Sequence, residues 1–105
     1  MKKPIPEMQK WIDGTVPDKV VNVVYFIWLE KSQGGVAPTW AEIAHVGGWA
    51  HRPRAEWQAK MRYLRRFGVE WSHQKRYSTR VRREVVPYLV AAADNRRDCR
   101  EVAFR

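Results

Sequence analysis

Three glycine stops, Gly34-Gly35, Gly47-Gly48 and Gly68, cut the middle of this chain into lengths that helices fill. Before the first stop, Val20, Val23, Val24, Ile27 and Trp28 recur at three- and four-residue steps, so a long helix with Asp18 as its cap turns one apolar stripe to a core. Between the first and second stops, Thr39 and Glu42 have the spacing of a capping box, and a short helix starts at Thr39 with Ile43 and Ala44 inward. The second doublet ends that helix where a residue able to take positive φ is wanted. Pro53 suits the first position of a third helix running to Phe67. Steps of 100° there put Trp57, Met61, Leu64 and Phe67 on one side, and Arg54, Gln58, Arg62, Arg65 and Arg66 on the other.

After Gly68 the period changes to two. Val69 and Trp71 alternate with Glu70 and Ser72, His73 to Arg76 make a polar tip, and Tyr77, Thr79 and Val81 alternate with Ser78, Arg80 and Arg82, which predicts a β-hairpin over 69–82. Ahead of the helices, residues 1–17 read as an arm with one short helical turn that packs Trp11 on the body. Behind the hairpin, Pro87 and the run Tyr88 to Ala93 predict a fourth helix, so 84–105 reads as a helix and polar tail. At 105 residues the arm, the central unit 18–83 and the tail make one structural unit. The fold class is mainly α with a small β-hairpin (α+β).

Charge is not spread over this plan. From Arg52 to Arg83 there are eleven Lys and Arg against two acids, which is the whole of the net +9. A field concentrated on one helix flank and the hairpin after it suits a polyanion lying along one face.

Other function classes find little support. His45, His51, His73 and Cys99 sit on different elements with no short-spaced pair, so neither a metal site nor a disulfide is expected, and no cofactor motif is present. No paired carboxylates stand out for nuclease chemistry, so no enzymatic activity is expected. The longest apolar run, Val20 to Leu29, contains Asn22 and is far short of the roughly 20 residues that cross a bilayer. The chain therefore reads as a soluble, cytoplasmic, nucleoid-associated protein without a membrane partner. Of six tryptophans, Trp11, Trp28, Trp57 and Trp71 fall at core-facing spacings, whereas Trp40 and Trp49 stand where burial is not forced and either can touch DNA or a partner.

Helix, short helix, turn, basic helix and basic hairpin is the order of a winged helix-turn-helix. On that reading helix 53–67 lies in the major groove of double-stranded DNA, and hairpin 69–82 meets the backbone or minor groove. Arg52, Arg54 and Gln58 would read bases, since Arg suits guanine and Gln suits adenine. Thr39, Trp40, His51, Arg62, Arg65, Arg66, His73, Lys75, Arg76, Tyr77 and Arg80 would meet the DNA backbone.

The stretch Ala37-Pro-Thr-Trp-Ala-Glu-Ile-Ala-His-Val-Gly-Gly48, followed by Met61-Arg-Tyr-Leu-Arg-Arg-Phe-Gly-Val69, resembles the amino-terminal winged-helix domain of LexA-type repressors. The resemblance covers roughly residues 18–83 and implies sequence-specific binding by a small regulator or repressor. It does not extend to those repressors' self-cleaving Ser/Lys domain, for which nothing after Arg83 is long enough. A recombination accessory factor fits the same features. The reading from another class is a protein-interaction module that docks on a partner enzyme such as RNA polymerase. For residues 84–98, homodimerisation and completion of the monomer's own core are both open, because the apolar surface of that helix must bury somewhere.

Overall fold

A computed structural model describes residues 3–75 and 77–103, the side chains of 96–103 excepted. In chain order the elements are α1 (Met8–Asp13), α2 (Asp18–Gly34), α3 (Trp40–Gly47), α4 (Arg54–Arg65), β1 (Val69–Glu70), β2 (Arg80–Val81) and α5 (Val86–Ala103). The molecule is mainly helical, with one two-stranded antiparallel sheet in the register Val69 to Val81 and Glu70 to Arg80.

Helix α2 is the centre, packed by α3, α5 and the second strand. Being covered from several sides, it buries Val21 along with Val20, Val23, Val24 and Ile27, a wider apolar surface than the single predicted stripe, while Trp28 at the stripe's edge is half-buried. Asp18 is not its cap. Pro17 takes the cap position with ψ 145°, and Asp18 is the first helical residue, where its charge faces the positive end of the helix dipole. The capping box is present as the spacing requires. Thr39 Oγ1 accepts from the Glu42 amide at 3.1 Å, and Glu42 Oε1 accepts from the Thr39 amide at 3.1 Å.

The stop after α3 uses its two glycines differently. Gly48 takes φ 85° and turns the chain, whereas a Cβ on Gly47 would sit 1.8 Å from the Trp49 ring. Trp49 is thus folded back on α3 and is only 9% exposed, which corrects the expectation that its burial is not forced. Its carbonyl accepts the Trp57 indole N–H at 3.0 Å, fastening the turn to α4.

Helix α4 is shorter than the predicted 53–67. Pro53 caps it with ψ 149° instead of opening it, and beyond Arg65 the amides of Arg66, Phe67 and Gly68 bond three residues back, so the end tightens into turns. Met61, Leu64 and Phe67 are buried and Trp57 is half-buried. Gly68 has φ 97° and lies against Val85, whose Cγ2 would be 2.6 Å from an added Cβ.

Strand pairing in the hairpin is also shorter than predicted. Only two residue pairs form, although Trp71 and Thr79 are buried on the same face as Val69, as the predicted alternation requires. A hydroxyl replaces the next rung: Ser78 Oγ accepts from the Ser72 amide at 2.8 Å and donates to the Ser72 carbonyl at 3.2 Å. The arm closes over the end of α4, with the Trp11 indole N–H donating to the Phe67 carbonyl at 2.9 Å and the Glu7 amide to the Arg66 carbonyl at 3.0 Å.

Candidate functional site

Two clefts flank α4. The first, about 700 Å³, opens between the start of α3, the first turns of α4 and the hairpin loop, and Trp40, Arg54, Trp57, Gln58, His73 and Lys75 are among its lining residues. The second, about 660 Å³, lies at the other end of α4 beneath the arm, where Lys3, Arg62, Arg65, Arg66 and Arg82 gather. Charge from separate elements therefore converges in both, as localised charge in the sequence implies.

Behind the first cleft, aromatic side chains from α3, the hairpin and the end of β1 interlock. Trp71 is buried with its indole N–H on the Met61 carbonyl at 3.0 Å, and Trp40 meets it edge-on at 5.0 Å between centroids. His73 packs edge-on to Trp71 at 4.7 Å and pairs with Gln58, Nε2 to Nε2 at 3.2 Å. From the far side the Arg65 guanidinium carbon stacks 3.8 Å from the Trp71 ring centroid while its Nη2 donates to the Trp71 carbonyl at 3.0 Å. These contacts give Trp40, which is half-buried, a structural footing that its position in the sequence did not reveal.

The residues expected to touch DNA divide by what already holds them. Arg54 lies over the Trp57 ring, 5.4 Å from its centroid, with no acidic partner among the described residues. Arg62 and Lys75 likewise have none, and His51 is exposed. Arg52 is a loose neighbour of Glu56 at 3.8 Å. By contrast Arg80 is paired across the strands with Glu70 at 2.8 Å, and Arg66 with Glu7 at 2.6 Å. The Thr39 hydroxyl is committed to its capping box, and Gln58 to His73. Tyr77 is 47% exposed at the hairpin loop. Arg76 lies outside the described residues.

Arg66 also shifts Glu7. Its hydrogen bond, and after it Lys10, hold the Glu7 carboxyl below its ordinary pKa. Arg82, which the sequence presented as one more basic hairpin residue, is instead a strut: 11% exposed, it donates to the Lys3 carbonyl and pairs with Glu84, tying the arm to the hairpin's end.

Sequence reasoning gave Trp57 to the core alone, though it also lines the first cleft, and it missed Ser72, Gln74 and Ser78 there. Their polar run between two alternating segments was the available signal. Among the described residues no His, Cys, Asp and Glu side chains gather to hold a metal ion, and no helix is long and apolar enough to cross a membrane. Comparison with protein-family models, with curated proteins and with solved structures returns no match.

Proposed function

We propose that the protein is a winged helix-turn-helix that binds double-stranded DNA sequence-specifically, as a small transcriptional regulator or recombination accessory factor and without enzymatic activity. α4 enters the major groove and the hairpin loop lies on the flanking backbone or in the minor groove. The observation that carries the reading is the convergence of Arg54, from α4, and Lys75, from the hairpin loop, on one cleft whose described lining residues include no acid. The duplex is a polyanion, and cations presented by two neighbouring elements release its counterions together.

The surface of α4 supports this use. Arg54, Gln58 and Arg62 form an i, i+4, i+8 row, and the neighbouring Ala55 and Ala59 are exposed and small, which lets the helix axis approach a groove floor. Arg54 is the better base reader of the row. With one hydrogen of its amide nitrogen on His73, Gln58 keeps its second N–H and its carbonyl oxygen, but in an orientation that His73 constrains.

Selection of bound duplexes from a random pool at low salt tests the reading. Enrichment of a defined sequence, with affinity falling steeply as salt rises, is the expected result. If neither random nor selected duplexes bind at low salt, the reading is overturned.

A further inference from the structure

The cleft between α4 and the hairpin loop is too small for a duplex and larger than a phosphate requires. Its volume of about 700 Å³ falls in the range of sites that enclose a small molecule. Trp40, Trp57 and Tyr77 bring aromatic rings to it, and Arg54 and Lys75 bring cations. Two of those rings are fixed in advance, Trp57 by its hydrogen bond to the Trp49 carbonyl and Trp40 by its edge-on packing against Trp71. Preformed aromatic walls with cations beside them suit a ligand that is planar and aromatic at one end and anionic at the other.

Tyr77 gives a second, independent indication. Its φ is 62°, and it is the one non-glycine residue with positive φ among the described residues. Glycine or asparagine takes this conformation at lower cost, so the turn alone does not account for a tyrosine there. Backbone strain at a binding surface is a pointer to the side chain it presents, and here that side chain lines the cleft while remaining 47% exposed.

We propose that this cleft binds an unpaired nucleotide of a nucleic-acid strand, with the base among Trp40, Trp57 and Tyr77 and its phosphate at Lys75, while Arg54 at the cleft's edge keeps its contact with a paired base. The proposal rests on the DNA-binding reading and narrows it: the preferred target is a duplex in which one base is unpaired or easily extruded. Leaving the helical stack costs least for such a base, and the protein's rings offer it new stacking partners in place of its neighbours in the strand. A strand is favoured over a free nucleotide because Arg62, two turns further along α4 on the same row as Arg54, is exposed and can hold a phosphate further along the strand, which a mononucleotide does not have.

The test compares four probes by direct titration at one low salt concentration: a matched duplex, the same duplex with a single unpaired adenine, a single-stranded oligonucleotide, and AMP. The expected result is that the bulged duplex binds about fivefold or more tighter than the matched one, with AMP far weaker than either. Tyr77→Gly removes the ring while relaxing the backbone, and it should bring the ratio of the two duplex affinities to about one, with circular dichroism and thermal unfolding showing the fold retained. Tyr77→Phe should keep the ratio. Equal affinities in the parent protein overturn the proposal, as does a preference that survives Tyr77→Gly. AMP binding as tightly as the bulged duplex overturns the strand as the source. Failure of both duplexes to bind while the single strand binds removes the duplex reading and leaves the cleft proposal standing, whereas failure of all four probes removes both.

Discussion

At Gly47 the absence of one methyl group decides where an indole goes. The doublet Gly47-Gly48 reads in the sequence as a helix stop, and Gly48 meets that need with its positive φ. A stop requires one such residue, so the first glycine was the signal that something approaches closely, and Trp49 two residues on is what approaches. The indole N–H of Trp49 is buried without a hydrogen-bond partner among the described residues, so its position is set by shape. Gly47→Ala is therefore expected to lower the unfolding free energy by about 1–3 kcal/mol, the usual range for overpacking, as measured by urea denaturation. A variant with parental stability would show that Trp49 has another place to go. The same limit applied to the candidate DNA-binding residues: composition placed Arg66, Arg80 and Gln58 on the functional surface, but their partners Glu7, Glu70 and His73 are respectively fifty-nine, ten and fifteen residues away. Periodicity assigns a face to a residue and says nothing about what a distant segment lays upon it.

For elements, legibility followed the range of the interaction that ends them. The capping box at Thr39 and Glu42 is local chemistry within four residues, and α3 begins where that spacing requires. Other ends are shorter than predicted: in the hairpin the Ser78 hydroxyl bonds the Ser72 backbone where a strand would use its own amide and carbonyl, and α4 tightens after Arg65 where the arm docks Trp11 and Glu7 on its last turn. That docking gives a pH dependence with a defined sign. Since Arg66 lowers the Glu7 pKa in the folded chain, the folded state binds this proton less readily than the unfolded state. The contribution to stability is thus present above the ordinary carboxylate pKa and is lost as pH falls through the lowered one. Glu7→Gln should lower the melting temperature at neutral pH, by a modest amount because the Arg66 side chain is open to solvent, and the gap from the parent should close as pH falls below about 4. A gap of the same size at neutral and acid pH would show that Glu7 acts through packing and not through its charge.

Across the whole molecule, the surplus charge of residues 52–83 resolves into cations with different work. Arg66, Arg80 and Arg82 pair with acids and bind the arm, the strands and the hairpin's end to one another, and Arg65 stacks beneath Trp71. Among the described residues, Arg54, Lys60, Arg62, Lys75 and Arg83 have no acidic partner, and Arg54, Arg62 and Lys75 are the three on the proposed DNA face. Val85 and, within α5, Leu89 are buried against the body, but Tyr88 is 38% exposed, beside Ile12 at the rim of a small apolar cleft of about 320 Å³; of the segment 84–98, the side chains of 96–98 lie outside the described residues. The charge division separates two variants in one experiment. For a duplex-binding protein, the logarithm of the affinity falls with the logarithm of salt by about 0.9 for each phosphate neutralised. Lys75→Ala should weaken matched duplexes of any sequence alike and reduce that slope by about one unit. Arg54→Ala should cost about 1–3 kcal/mol on a selected site and less on random duplex, because the base edge it reads is present only in the former. If both variants change the slope equally and neither alters sequence preference, α4 is a second phosphate-holding element and the specificity has to come from DNA shape.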